Sequence, residues 1–185
     1  MRELLRRCTD DEVRQVTEQL GREPRGMVSV AAYNQCGEVL VVVTSLRIPE
    51  PFPTTYYLTH PEVVKAVSRL EASGYMRHLN ELLDKTSELY DEQLAVEYAR
   101  AHRSYIEDRN RLSALLGLEP LKQHDDFSAG GMPNRVKCLH ALVGHSLAKG
   151  YAANPVGDLA LEKLQAQGFE SLLNVLQVDF TEVEN

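Results

Sequence analysis

The chain has 185 residues, of which 43% are hydrophobic and 25% are charged. This length and composition argue against disorder, and we expect residues 1–185 to fold as a single domain. Lys plus Arg at 20 against Asp plus Glu at 27 give a formal charge of -7, which argues against broad nucleic-acid binding. No segment has the apolar length of a secretory signal or of a membrane span, which predicts a cytoplasmic protein.

The N-terminal part of the sequence predicts one helix and a small sheet. The helix covers DDEVRQVTEQL, begins after Thr9 or Asp10 and ends at Gly21. Two β-rich runs follow, MVSVAAY and EVLVVVTS, and residues 34–37 between them predict a hairpin. Prolines interrupt the chain next, and TTYYLT has the composition of a third strand. We therefore expect a small antiparallel sheet of about three strands near the N-terminus.

The rest of the chain is predicted to be helical. Pro61 begins a long helix that Gly74 bends or splits, and a second helix covers residues 87–116. A third helix opens at Pro133 and closes at Gly150, and a last one runs from about Gly157 to Gln167. The predicted fold class is α+β, mainly helical.

A glycine segment, SAGGMP, leads into the third predicted helix. A helix N-terminus presents unpaired N–H groups and the positive end of the helix dipole, which together favour an anion. We therefore predict an anion site formed by the backbone of Gly130 and Gly131 with the charges of Arg135 and Lys137. The order GxxxxGK[ST] of a Walker loop is absent. The alternative is a glycine loop that serves only as a helix entry.

One face of the second long helix carries polar aromatic residues. Tyr98, His102, Tyr105 and Arg109 recur at intervals of three or four residues, so they share a face. They can bind a planar or phosphorylated ligand, or they can form a polar seam between packed helices. In the first interpretation, His102, Tyr105 and Arg109 complete the anion site.

The three cysteines are too few and too scattered for a disulfide framework, which predicts reduced thiols. On the third predicted helix, Cys138 and His145 are seven residues apart and share a side, whereas His140 points elsewhere. A nucleophilic cysteine–histidine pair within this helix is therefore poor in geometry, and a packed thiol is the alternative. Asp125 and Asp126, before the glycine loop, can bind Mg²⁺ or remain a solvated pair.

Several segments carry a family resemblance: GREPRGMVSVA, the CG of the hairpin, PFPTTYYLTHP, AVSRLEASGYM, AHRSYIEDR and SAGGMPNRVKCLHALVGHSLA. In this order they resemble the bacterial family catalogued as domain of unknown function 501 (DUF501), from about Gln19 to about Leu161. GGMPNRVKCLH is the most specific of the matching motifs. The resemblance names a family without implying an activity.

The resemblance also implies a metal site, because typical members carry Cys-Pro-Cys-Gly at the hairpin and Thr-Cys-Pro after the third strand. This chain has Asn34 and Cys36 at the hairpin and His60 after the strand, and it keeps Cys138 and His140. The implied site is a zinc site of Cys36, His60 and Cys138, with His140 or water as the fourth ligand, rather than an iron–sulfur cluster. The alternative is a lost site whose remnants pack in the core.

Three functional hypotheses follow. The leading one is a noncatalytic or regulatory protein that binds a phosphate-containing small ligand at the predicted anion site. The second is an enzyme that acts on a phosphorylated substrate, with His102, His140 or His145 as the acid–base group. The third is a protein-interaction module that uses an apolar strip on residues 61–83 or 87–116. Family members are similar to proteins often encoded beside cell-division initiator and exopolyphosphatase-type proteins, which favours a phosphate-containing ligand or a partner related to the envelope or to division.

Overall fold

The computed structural model of the chain describes residues 2–45, 47–48, 50–51, 54–119, 127–170 and 173–184. Asp125 and Asp126, predicted as a Mg²⁺ pair, lie outside the described residues. The strands are β1 (Arg2–Leu5), β2 (Met27–Asn34), β3 (Val39–Thr44), β4 (Arg47–Ile48), β5 (Glu50–Pro51), β6 (Tyr56–Leu58), β7 (Gly131–Met132), β8 (Arg135–Val136), β9 (Val175–Gln177) and β10 (Thr181–Glu184). The helices are α1 (Asp10–Leu20), α2 (Pro61–Ala72), α3 (Tyr75–Leu83), α4 (Glu92–Leu115), α5 (Leu139–Lys149) and α6 (Pro155–Leu164), which a π-helical turn extends over Gln165–Phe169.

The main sheet has four antiparallel strands in the order β6-β3-β2-β9. The predicted α+β class, mainly helical with a small antiparallel sheet near the N-terminus, is therefore confirmed. All six residues of β3 are buried, which accounts for its unbroken run of valines and leucine. The fourth strand, β9, comes from the C-terminal tail, whose mixed composition did not predict it.

Helix α1 covers one face of this sheet. The Thr9 side chain accepts a hydrogen bond from the amide of Glu12, and the Glu12 side chain accepts one from the amide of Thr9, so both ends of a capping box are present. Val16, the buried residue of α1, packs with Val30 and Val42 of the sheet. The local capping signals therefore fix the start of α1, and its apolar side fixes where it packs.

Helix α5 packs on the other side, against β2, β3, β6 and α6, and residues 139 and 141–148 within it are buried. Two glycines permit this close packing. A Cβ atom on Gly144 would lie 2.9 Å from the Tyr56 carbonyl oxygen, and one on Gly157 would overlap the Leu142 carbonyl oxygen and the Ser146 hydroxyl. The core of the protein thus contains two helices, α5 and α6, that tolerate no added side chain at Gly144 and Gly157.

The prediction that the third helix opens at Pro133 was wrong. Residues 131–136 form the β7–β8 hairpin, with Pro133 and Asn134 as its two-residue turn, and α5 begins only at Leu139. A residue far away in the sequence holds the hairpin in place: Asn80 of α3 donates a hydrogen bond to the carbonyl of Val136 and accepts one from its amide. These bonds span 56 residues of sequence, so the local helical pattern could not reveal them.

Two other helix predictions were nearly correct. The helix that begins at Pro61 is split at Gly74, whose φ of 83° lies in the left-handed region, and the second half becomes α3. The helix predicted over residues 87–116 is α4, which Asp91 caps through its side chain. Within the part of the chain that the structure describes, no helix combines the length and apolar character that a bilayer crossing requires.

Candidate functional site

The two glycines of the predicted anion loop serve the hairpin and its packing on α5. A Cβ atom on Gly130 would overlap the Leu142 side chain, and one on Gly131, which has φ of 139°, would overlap the Arg135 carbonyl oxygen. The Gly130 carbonyl accepts hydrogen bonds from the amides of residues 137 and 138, at 2.7 and 3.1 Å. The segment before α5 is therefore a tightly bonded structure whose glycines are needed for close approach.

The positive end of α5 already holds a carboxylate. The amide of Leu139, the first residue of α5, donates to Oε1 of Glu71 at 2.7 Å. Glu71 lies near the end of α2, which packs against α5. The negative charge that a helix N-terminus favours thus comes from the chain itself.

Glu71 forms a cluster with Cys138 and His140, which we call the α2–α5 cluster. The Cys138 Sγ atom lies 4.0 Å from Nδ1 of His140, and the same nitrogen lies 3.3 Å from Oε1 of Glu71. One potential ligand atom from each residue lies within 4.8 Å of the other two, so the cluster can hold a metal ion. The prediction that Cys138 and His140 point apart was wrong, because Cys138 precedes the helix with extended backbone at φ -148° and ψ 115°.

The ring of His140 is oriented by α2. Its Nε2 atom lies 3.2 Å from the Val64 carbonyl oxygen and 3.1 Å from the Ser68 hydroxyl, and that hydroxyl itself donates to Val64 at 2.8 Å. Both neighbours of Nε2 can then only accept, so Nε2 carries a proton and Nδ1 faces the cluster. The contact with Cys138 raises the pKa of His140 above its ordinary value; burial opposes this shift, and the charge of Glu71 adds to it.

The other two predicted metal ligands lie at the opposite end of α2. His60 immediately precedes α2, and its Nε2 atom lies 3.3 Å from the carboxylate of Glu38. Cys36 is exposed in the β2–β3 turn, where the Asn34 side chain organises the backbone. His60 and Glu71 are eleven positions apart, which is about 16 Å along a helix. The four residues of the implied zinc site therefore fall in two separate places.

An open groove of about 1690 Å³ lies between α3, α4 and the β7–β8 hairpin. It brings together His102 and Arg135, two of the predicted ligand-binding residues. Val96 and Met132 also line it, with 64% and 45% of their surfaces exposed. Its charged lining consists of Arg77, Lys85, Arg103 and Arg135, and of Asp84, Glu92 and Glu107.

The other predicted ligand-binding residues lie outside this lining. The Tyr105 hydroxyl accepts a hydrogen bond from the amide of Thr55 at 2.7 Å, in the interior of the protein. Arg109 is 0% exposed and donates to the carbonyl of Phe127 at 3.2 Å. Lys137 is exposed, whereas Gly130 before the hairpin and Gly131 at its start are buried. The residues of the predicted anion site therefore lie in different places, and of these residues only His102 and Arg135 line the groove.

A buried polar network that the sequence did not reveal surrounds His145. The His145 ring stacks on Tyr56, with centroids 5.6 Å apart and planes 5° apart, and the Tyr56 hydroxyl donates to Asp108 at 2.7 Å. Asn154 Nδ2 lies 3.2 Å from Nδ1 of His145. Burial lowers the pKa of His145 to about 4. His145 is therefore neutral at pH 7, and at 0% exposure it contacts no solvent-borne ligand.

The fold and site define a mainly helical α+β protein with an open charged groove and a separate glutamate–cysteine–histidine cluster. The model of a family described as protein of unknown function (DUF501) matches residues 30–162, and the chain belongs to that family. No curated protein and no solved structure matched the chain. The matched region contains the α2–α5 cluster and the whole lining of the groove.

Proposed function

We propose that the chain is a noncatalytic ligand-binding protein and that its groove receives a ligand with several phosphate groups. One observation carries this proposal. Four cationic side chains line the groove, and among the described residues none of their charged heads has a hydrogen bond or an ion pair. These residues are Arg77, Lys85, Arg103 and Arg135.

The charge balance of the groove differs from that of the chain. Four cations face three carboxylates in the groove, whereas the formal charge of the chain is -7. One of the carboxylates, Asp84, accepts hydrogen bonds from the amide and the hydroxyl of Thr86. Arginine offers a planar pair of donors that matches phosphate oxygens, so the three groove arginines favour phosphate over a simple halide.

The size of the groove favours an extended ligand. Pockets for small molecules usually enclose roughly 300–1,000 Å³, and this groove is larger and open. Its cations are distributed over α3, the segment that follows it, α4 and β8. A linear chain of phosphates can reach several of these positions at once, whereas a single phosphate meets one or two.

The experiment is isothermal titration calorimetry with inorganic phosphate, a nucleoside triphosphate and medium-chain polyphosphate. We expect the tightest binding for polyphosphate, with an affinity that falls as salt rises, because exposed charges are screened. Arg103→Gln and Arg135→Gln should each weaken it by about 10-fold, since a hydrogen bond to a charged group contributes roughly 1.5–3 kcal/mol.

Arg100→Gln is the matched control. Arg100 is exposed on α4 and does not line the groove, so its substitution removes the same charge from the same helix. Equal weakening by Arg100→Gln and Arg103→Gln would mean that only overall charge matters. That result, or the absence of binding by the unmodified chain, would overturn the proposal.

A second candidate is a protein partner in the same groove. The exposed side chains of Val96 and Met132 favour it, because apolar groups on the wall of a groove are typical anchors for a partner helix. Val96→Asp should then abolish capture of a partner from a cell lysate, whereas Arg103→Gln should leave most of it. Capture that survives Val96→Asp would count against this candidate.

A further inference from the structure

We infer that Glu71, Cys138 and His140 form a zinc site with an open fourth position. This site does not depend on the groove, since none of its residues lines it. It also differs from the set implied by family resemblance, because it includes Glu71 and leaves out Cys36 and His60. The inference rests on donor chemistry, ligand spacing and the support of the histidine ring.

The three side chains are a donor set that suits zinc. A thiolate, an imidazole nitrogen and a carboxylate oxygen each bind Zn²⁺ at about 2.0–2.3 Å, so ligand atoms on a tetrahedral ion lie about 3.5 Å apart. The sulfur-to-nitrogen distance here is 4.0 Å and the nitrogen-to-oxygen distance is 3.3 Å. The sulfur-to-oxygen distance lies within 4.8 Å, so side-chain shifts of up to about an ångström bring all three atoms to coordination distance.

The surroundings of His140 match those of a metal-bound histidine. A ligating histidine usually donates its other ring N–H to a carbonyl or a carboxylate, which fixes the ring and its tautomer. In this chain Nε2 meets the Val64 carbonyl and the Ser68 hydroxyl, and Nδ1 is directed at Cys138 and Glu71. The lone pair of Nδ1 is thus presented where a metal ion would sit.

Glu71 is held in a comparable way. Its Oε1 atom accepts the amide of Leu139, which fixes the carboxylate, and among the described residues Oε2 has no hydrogen-bond partner. Glu71 lies on α2, His140 lies on α5, and Cys138 immediately precedes α5. The two helices pack together in the core. The site is therefore placed by rigid elements rather than by a loose loop.

The site is open to solvent on one side. About a quarter of each of the Glu71 and His140 side chains is exposed, at 25% and 26%. Three protein ligands leave a fourth position for water or another small ligand, whereas closed structural zinc sites have four protein ligands. When zinc binds, the Cys138 thiol loses its proton to solvent, and the two anionic ligands balance the charge of the ion.

The test uses the full chain stripped with a chelator and titrated with Co²⁺, followed by Zn²⁺ in competition with a chromophoric chelator. We expect one metal ion per chain and an intense sulfur-to-cobalt charge-transfer band. Cys138→Ser should remove the band. Glu71→Gln and His140→Asn should weaken zinc binding at least as much as the roughly 10–100-fold that follows loss of a supporting group. Ser68→Ala, which removes no ligand, should weaken it by about 10-fold.

Cys36→Ser and His60→Asn are the controls, because both residues lie at the other end of α2. They should leave stoichiometry and affinity unchanged. Alkylation followed by peptide mass spectrometry gives a readout in the unmodified chain, where zinc should slow modification of Cys138 at least 10-fold and leave Cys36 unaffected. Absence of the cobalt band, its loss in Cys36→Ser, or an alkylation rate of Cys138 that zinc does not change would each overturn the inference.

Discussion

The Glu71 carboxylate accepts the backbone amide of Leu139 at 2.7 Å and so joins the end of α2 to the first residue of α5. We predict that Glu71→Ala lowers the free energy of unfolding by about 1–3 kcal/mol, because it leaves the amide of a buried residue without its acceptor. Glu71→Gln keeps an acceptor oxygen and should lose less than half as much. Urea titrations with a chelator present measure both values without a metal contribution. A Glu71→Ala chain as stable as the unmodified one would contradict this account.

Gly157 is predicted to tolerate no side chain. A Cβ atom there would overlap the Leu142 carbonyl and the Ser146 hydroxyl, so α6 would have to move away from α5. Gly157→Ala should lower the free energy of unfolding by about 3 kcal/mol. Gly117→Ala is the control, since it has positive φ but nothing within 4 Å, and should cost about 1 kcal/mol. Equal losses in urea titrations would show that α5 and α6 are less tightly packed than described.

His145 makes stability depend on pH. Its pKa is about 4 in the folded chain and about 6.5 when exposed, so between these values the unfolded chain binds more protons than the folded one. Stability is therefore lost as pH falls from 6.5 towards 4. The loss from this residue should be about 2.5 kcal/mol between pH 7.5 and pH 4.5.

The measurement compares the unmodified chain with His145→Gln, whose side chain does not titrate. The substitution also changes packing against Tyr56, but this offset is the same at both pH values. Urea titrations at pH 7.5 and 4.5 should show a smaller decrease for the variant. An identical decrease for both chains would mean that His145 is protonated in the fold or does not titrate in this range.

Asn34 is predicted to hold the β2–β3 turn. Its Oδ1 atom accepts the amides of Cys36 and Glu38 at 3.0 and 2.9 Å, and the residue is buried. Asn34→Ala removes this acceptor from both amides and should cost about 1–2 kcal/mol in a urea titration. Gln35→Ala, in the same turn and exposed, should change stability by less than about 0.5 kcal/mol. A stable Asn34→Ala chain would contradict the role given to this side chain.

Elements that depend on local signals were predicted well, whereas elements that depend on long-range contacts were not. The capping box at Thr9 and the stop at Gly21 lie next to α1 in the sequence, so its bounds could be predicted. The β7–β8 hairpin depends on Asn80, 56 residues away, and was read as helix. Moving the start of the helix to Leu139 also changed the relation between Cys138 and His140, which is why their proximity was missed.

The candidate groove was predicted only in part for a similar reason. The polar aromatic face predicted His102 as a site residue, and the glycine segment predicted Arg135. Arg77 and Arg103 are exposed residues on amphipathic helices, where a solvated cation is the ordinary interpretation. Only the packing of α3 beside α4 and the hairpin places these cations around one space.

The central claim, a phosphate-binding groove, is tested most directly by amide chemical-shift mapping of the ¹⁵N-labelled chain with the medium-chain polyphosphate of the calorimetric titration. The predicted result is a saturable set of shifts confined to α3 and the residues after it, to residues 92–107 of α4 and to the β7–β8 hairpin. These shifts should be absent in the double variant that carries both Arg103→Gln and Arg135→Gln. Shifts concentrated elsewhere, or no shifts at a ligand concentration that saturates the calorimetric titration, would contradict it.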